Sequence, residues 1–177
     1  MRIIGGIHRG RLIDRVGKES TRETADMVRQ AVFNMLGGSV FGSVLDLFAG
    51  SGAYGLEAIS RGAQLAVFVD KDRDAIKTIE RNASLLKCQS QVSIHFMDYQ
   101  SYLKTLNESV KFDIIFLDPP YQMDVYIDLI NVLRSHLNPE GMIVCESTKS
   151  LILPETILDL DKIKEKTYGI KRISIYQ

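Results

Sequence analysis

The sequence predicts an α/β protein: a seven-stranded, mostly parallel sheet with a C-terminal antiparallel hairpin, preceded by a small N-terminal β-hairpin and helix. Three observations carry that expectation. Five continuous apolar runs alternate with helical patterns between residues 43 and 147, as in a parallel sheet covered on both faces. The tail KIKEKTYGIKRISIYQ breaks this rhythm, because two β-prone runs flank Tyr168-Gly169 with no room for a crossover helix. The length of 177 residues suits one domain with a proper core and is too short for two large ones.

Taken in order, RIIGGIHRGRLI reads as a hairpin with Gly5, Gly6 and Gly10 as turn points. A helix follows. Thr21 or Thr24 can cap it, Ala25, Val28, Val32, Met35 and Leu36 share one face, and Gly37 and Gly38 end it. SVLDLFA is then a strand and YGLEAISRG a helix; LAVFVD is a strand and RDAIKTIERNASLL a helix. QVSIHFMD is a strand, with a short helix from Tyr99 to Leu106 behind it. FDIIFLD is a strand, VYIDLINVLRSHL a helix and GMIVCES the fifth strand. There is no internal repeat and no low-complexity linker. Residues 1–38 read as an extension and residues 39–177 as the main domain.

Composition excludes several classes. Basic and acidic residues balance at 22 each, so attraction to a polyanion has to come from a local patch. Cys88 and Cys145 lie far apart without metal-ligand spacing and read as reduced thiols, which fits a cytoplasmic location. His8, His95 and His136 are scattered, so no metal site is expected. No apolar run is long enough for a membrane span, and the N-terminal apolar stretch is too short for a signal peptide.

The chemistry concentrates after the strands. VLDLFAGSGAYG carries Gly50, Gly52 and Gly55 at G-x-G-x-x-G spacing, the turn that lets a ligand approach backbone at a helix N-terminus. That spacing alone also describes an ordinary tight strand–helix turn. Asp46 tips the choice of ligand. A carboxylate at the mouth weakens a phosphate site but suits a ligand bearing an ammonium. S-adenosylmethionine has that ammonium, a carboxylate for the helix N-terminus, and no phosphate. The competing role for Asp46 is a hydrogen bond to the loop backbone. Asp70 ends the next strand, where a carboxylate accepts both hydrogens of a ribose diol. Asp98 ends the third strand, placed either to meet an adenine amino group or to cap the following helix. Phe48, Lys71 and Tyr99 border these positions and join them as cofactor-binding candidates.

The most specific segment is FDIIFLDPPYQ. Asp118 ends an apolar strand, Pro119 and Pro120 fix the backbone after it, and Tyr121 presents an aromatic face. These four are the catalytic candidates for methyl transfer to an exocyclic base amine. Such a nitrogen is a poor nucleophile because its lone pair is delocalised into the ring. Two acceptors for its hydrogens, the Asp118 carboxylate and the Pro119 carbonyl, favour the tetrahedral geometry that attack requires. Tyr121 can stack on the base, worth about 1–3 kcal/mol.

DLFAGSGAYGLEAISRGA, VFVDKDRDAI, FDIIFLDPPY and GIHRGRLI…STRETADMVRQAVFNML together resemble the RsmD-type bacterial 16S ribosomal RNA (guanine-N2) methyltransferases. The resemblance spans nearly the whole chain. It implies a class I, Rossmann-like methyltransferase fold, S-adenosylmethionine as donor, and a guanine of 16S rRNA or of a small-subunit assembly particle as acceptor. It assigns Gly50, Gly52, Asp70 and Asp98 to the cofactor and Asp118, Pro119, Pro120 and Tyr121 to catalysis. The chain departs from the family pattern at Glu23, where a proline is common, and at Met27, where an arginine is common. Both changes lower the positive character of the presumed RNA face.

Alternative readings are a DNA adenine or cytosine amino-methyltransferase, a dinucleotide-dependent oxidoreductase, and a non-catalytic RNA-binding module. No stretch is spare for a DNA target-recognition region. Asp46, the Asp-Pro-Pro-Tyr segment and the terminal hairpin count against an oxidoreductase. Residues 1–18 hold five basic side chains against one acid, Asp14. Arg9 and Arg11, on one face if the segment is a strand, and Arg22 at the helix entrance are the candidate RNA contacts.

Overall fold

The computed structural model describes the backbone of residues 1–17 and 22–177, and the side chains of residues 1–17 and 26–177. Helix α1 (Arg22–Met35) precedes the sheet. Then come β1 (Ser43–Asp46), α2 (Ala53–Ser60), β2 (Leu65–Asp70), α3 (Arg73–Leu86), β3 (Val92–Phe96), α4 (Tyr99–Thr105) and β4 (Phe112–Leu117). The chain continues through α5 (Tyr126–Leu133), β5 (Leu137–Thr148), β6 (Thr156–Ile157), β7 (Leu160–Tyr168) and β8 (Lys171–Tyr176).

All strands form one sheet in the order β3-β2-β1-β4-β5-β8-β7-β6. The first five are parallel and β8 runs antiparallel to β5. The sheet has eight strands rather than the expected seven. The added one, β6, has only two residues and pairs with the outer strand β7.

Side-chain parity splits the core into two layers, as expected for strands buried on both faces. Val44, Phe116, Val144 and Ile173 face α1, α2 and α3, packing with Phe33, Leu56 and Ile79. Leu45, Leu117, Ile143 and Tyr176 face α4 and α5, packing with Tyr102, Leu129 and Leu133. The first parity also sets the acids Asp46, Glu146 and, one residue past β4, Asp118 on the α1–α3 face.

Three boundaries differ from the sequence reading. The N-terminal hairpin keeps a single antiparallel bridge, Arg2 to Leu12, and Arg9 lies in its turn. Backbone bonds from Ile3 N to Arg11 O at 2.9 Å and from Ile13 N to Met1 O at 3.0 Å close it. It also bonds outward: Ile4 and Gly5 donate to the Glu57 carboxylate, each at 2.8 Å, and Ile7 N donates to Ser60 O at 2.8 Å. Arg9 and Arg11 therefore do not alternate along a strand. Second, the helix of residues 125–137 ends at Leu133 and closes with a 3-10 turn, Arg134–His136. Strand β5 begins at Leu137, ahead of the expected Gly141. Asn138-Pro139-Glu140 bulges out of it, so pairing jumps from Phe112–Leu137 to Ile114–Met142. Proline has no donor for the ladder, so a bulge suits it. Third, β1 ends at Asp46 rather than at Ala49, which puts Asp46 at the mouth of the sheet.

Thr21 and the side chains of Arg22, Glu23, Thr24 and Ala25 lie outside the described residues. Val28 and Val32 are buried on the helix face expected for them. Gly38 N closes α1 on Phe33 O at 2.8 Å.

Candidate active site

A parallel sheet binds ligands beyond the carboxyl ends of its strands, where neighbouring connections diverge. Here the chain leaves β1 toward β2 on one side and later returns to β4 on the other. A cleft of about 490 Å³ opens at that place, within the range of small-molecule sites. Phe48, Gly50, Asp70, Lys71, Asp98, Tyr99, Asp118, Pro119, Pro120 and Tyr121 all line it. Met97, Gln100 and Met123 add walls that the sequence reading did not name.

The glycine loop is held open by its neighbours. Gly50 has φ +52, and a Cβ there would meet nothing within 4 Å, so free space lies over the loop. Asp70 fixes the loop from the next strand. Its Oδ2 accepts from Gly50 N at 2.7 Å and its Oδ1 from Asp72 N at 2.9 Å. Each oxygen keeps a lone pair for a further donor, so the carboxylate is aimed before a ligand arrives. Gly55 serves packing: a Cβ on it would stand 2.3 Å from the Phe68 ring, and no bulkier residue lets α2 lie this close to β2. Gly52 is the N-cap of α2 with φ 78, and no side chain caps that end. The first-turn N–H groups of α2 lack a side-chain partner apart from Gly55 N.

Asp46 is 2 % exposed and accepts from Gly55 N at 3.2 Å. Burial and the nearby Asp70 push its carboxyl up to about 7 against the pull of that hydrogen bond. It faces a smaller chamber of about 220 Å³ beside the cleft, shared with Asp118, Tyr54, Glu146 and Lys171. Asp118 borders both spaces. Burial first, then the charge of Glu146, raises the Asp118 carboxyl well above its ordinary value, while Lys171 opposes the rise and Asp46 adds to it.

On the far wall, Asp98 caps α4, accepting from Ser101 N at 2.9 Å and from Ser101 Oγ at 2.7 Å. These bonds hold its carboxyl below the ordinary range. Phe48 and Tyr99 pack ring to ring with centroids 5.2 Å apart, making an apolar wall for a planar group. Tyr121 is 48 % exposed at the mouth.

Tyr54, Glu146 and Lys171 of the chamber escaped the sequence reading. Glu146 is 2 % exposed and accepts from the Tyr54 hydroxyl and from Lys171 Nζ. Its signal was available: a lone acid inside the apolar run MIVCES, the same pattern that marked Asp46. Lys171 had no signal, because only the β5–β8 pairing brings it to Glu146.

The N-terminal segment runs away from this region. Met1 lines the chamber, whereas the turn near Ile7 sits on Ser60 at the last residue of α2. Arg11 donates to Leu85 O near the end of α3, at 2.9 Å. Helices that cross over between parallel strands run back along them, so both helix ends lie at the edge opposite the cleft. Arg9 and Arg11 are exposed there. Among the described residues, no group of three or more His, Cys, Asp or Glu is placed to hold a metal ion, and no helix is long and apolar enough to cross a membrane.

A sheet in this order, with its cleft at the switch point beside the glycine loop, has the fold of class I S-adenosylmethionine-dependent methyltransferases. The family model described as Conserved hypothetical protein 95 matches residues 1–177. The Bacillus subtilis protein YlbH is 38% identical over 181 residues, covering 100% of this chain and 98% of its own length. Ribosomal RNA small subunit methyltransferase D of Haemophilus influenzae is 36% identical over 183 residues, covering 100% and 93%. The solved structure of Escherichia coli yhhF superposes with TM-score 0.84 at 33% identity, covering 100% of this chain and 97% of that one. The chain belongs to the RsmD family.

Proposed function

We propose that this protein transfers a methyl group from S-adenosylmethionine to the exocyclic N2 amine of a guanine in 16S rRNA, as free RNA or in a small-subunit assembly particle, in the cytoplasm. The observation that carries the reading is Asp118, set on a rigid Pro-Pro segment where the open cleft meets the buried acidic chamber. The cofactor supplies an electrophilic methyl on a sulfonium centre. Asp46 receives its ammonium, Asp70 its ribose hydroxyls, and the Phe48 and Tyr99 wall its adenine, with Asp98 at the adenine edge and Lys71 at the rim. The start of α2 behind Gly50 and Gly52, where no side chain caps the helix, suits its carboxylate.

Asp118 and the Pro119 carbonyl accept the two hydrogens of the target amine and turn its lone pair toward the methyl. Hydrogen bonds to a charged acceptor contribute about 1.5–3 kcal/mol each, and the prolines hold both acceptors without reorganisation. Tyr121 stacks on the base and offsets part of the unstacking cost. Asp118 need not be a strong base, because the methylated ammonium is itself acidic.

Residues 1–38 act as the RNA-contacting extension of the catalytic domain, residues 39–177, with Arg9, Arg11 and Arg22 binding phosphate. An RNA touching both Arg9 and the cleft runs along the N-terminal segment, from the chamber at Met1 to the turn near Ser60.

The test incubates the protein with labelled S-adenosylmethionine and unmodified 16S rRNA, assembly particles or DNA, then digests to nucleosides for mass spectrometry. N2-methylguanosine is the expected product. Methyladenine or methylcytosine from DNA overturns the assignment in favour of a DNA amino-methyltransferase. Asp118→Ala lowers turnover by about ten- to a hundredfold, as loss of one charge-assisted hydrogen bond implies, while cofactor affinity stays near wild type. Asp118→Asn retains more activity, since its amide oxygen still accepts one hydrogen bond.

A further inference from the structure

The chamber behind Asp118 contains more machinery than amine binding requires. Glu146 lies in the buried part of β5 and Lys171 opens β8, and the antiparallel register brings them together as an ion pair. Glu146 is enclosed, with Tyr54 donating to its second carboxylate oxygen and Tyr126 donating to its backbone carbonyl at 2.6 Å. Lys171 is less enclosed, its side chain 21 % exposed, and it lines the chamber together with Asp118 and Asp46. One ammonium thus bonds a buried acid while its charge acts on Asp118 across the same chamber. An ammonium has three donors and can serve several acceptors at once.

We propose that Lys171, anchored by Glu146, is a positioning residue for methyl transfer: it keeps Asp118 an ionised acceptor for the target amine. This rests on the function proposed above. The physical need is plain. Asp118 faces Asp46 from β1 and Glu146 from β5, so two acids and burial all press it toward the neutral form. A neutral carboxyl presents one O–H donor and a weaker acceptor to the amine. From the remaining elements, Tyr54 of α2 and Tyr126 of α5 border the group as neutral phenols. Arg29 of α1 and Met1 of the N-terminal segment line the chamber. Arg29 is engaged by Asp26 at 3.0 Å and by Glu57 at 3.4 Å. Lys171 is the cation whose charge most lowers the Asp118 carboxyl.

The test compares wild type with Lys171→Met, Lys171→Arg, Glu146→Gln and the double variant Lys171→Met/Glu146→Gln. Asp46 is a second buried acid whose carboxyl is pushed up, to about 7, so a residue-specific signal is needed: the ¹³C carboxyl resonance of Asp118 in the ligand-free protein, assigned through Asp118→Asn. The second signal is the pH profile of single-turnover methyl transfer to 16S rRNA. Lys171→Met moves both Asp118 titration and the acid limb of the rate to higher pH, with a rate loss of about tenfold at mildly acidic pH that shrinks as pH rises. Glu146→Gln moves both to lower pH. The double variant returns toward wild type because opposing charges have been removed together, and Lys171→Arg retains the wild-type profile. If Lys171→Met does not fold, Glu146→Gln still decides by the sign of its change. An Asp118 titration unmoved in Glu146→Gln, or a Lys171→Met loss that is the same at every pH, overturns the proposal. Absence of methyl transfer by the wild type would instead sink the proposed function, and the carboxyl titration would still report on the ion pair.

Discussion

Asp46 offers the sharpest test of how this site trades stability for binding. Its carboxyl titrates near 7 in the folded chain, against an ordinary value of 3.8. Between those two pH values the native state holds a proton that the unfolded chain has released. Stability therefore falls as pH rises from about 4 to about 7, and stays lowered above that. At about 1.4 kcal/mol per decade, the difference corresponds to roughly 4 kcal/mol. Asp46→Asn removes the titration and keeps an oxygen for Gly55 N. The amide group also brings an N–H pair into a buried site, at a cost of about 1–3 kcal/mol if unpaired. That cost does not depend on pH, so the informative quantity is the change in the difference between the two proteins. Urea unfolding at pH 4.5, 6, 7 and 8.5 should show Asp46→Asn gaining on wild type by about 2–4 kcal/mol across the series. The same substitution should weaken S-adenosylmethionine binding, because the carboxylate that meets the ammonium is gone. A difference that stays flat with pH, or that shifts toward wild type as pH rises, would refute both the burial argument and the role assigned to this acid.

Asp70→Ala removes the acceptor for Gly50 N and for the ribose diol. Calorimetry should show cofactor affinity lowered by about tenfold or more, and an unchanged affinity would move the ribose elsewhere. Gly55→Ala drives a methyl into the Phe68 ring; overpacking of about 1–3 kcal/mol exceeds alanine's helical advantage of about 1 kcal/mol, so the midpoint of urea unfolding should fall. A stabilised variant would show that α2 can lift from β2 without cost. Replacing Arg9 and Arg11 with alanine should weaken RNA binding and flatten its dependence on salt by about one log unit per lost phosphate contact, with cofactor affinity unchanged. Full activity with an unaltered salt slope would place the RNA on the cleft side alone.

Sequence reading reached furthest where chemistry is local. The glycine spacing, the acid after each strand and Asp118-Pro119-Pro120-Tyr121 are contiguous signals, and all sit where a βα connection emerges from the sheet. One loop, one strand end or one dipeptide defines each of them, so a short window contains the whole cause. The alternation of continuous apolar runs and amphipathic helices likewise contained the parallel sheet and its antiparallel tail. The third glycine also spaces a helix against β2, a role no short window contained because it depends on Phe68 from another strand.

What no window could contain was the partnership across the sheet. Glu146 and Lys171 are 25 residues apart, and their ion pair exists because β8 runs antiparallel to β5 in one register; a slip by one residue would turn Lys171 to the other face. The N-terminal segment shows the same limit. Its glycines and β-prone residues announced a hairpin, yet the buried Glu57 of α2 takes the backbone donors of Ile4 and Gly5. A buried carboxylate must be met by donors, and that demand draws the segment onto α2 and carries Arg9 to the end opposite the cleft. By itself, then, the sequence determined the layers and placed the glycine loop and the Asp-Pro-Pro-Tyr segment at the carboxyl edge of the sheet, because periodicity and backbone chemistry are written in adjacent residues. The tertiary structure alone decided which charges meet, since burial and strand register set the energy of a charge and both arise only when distant segments pack.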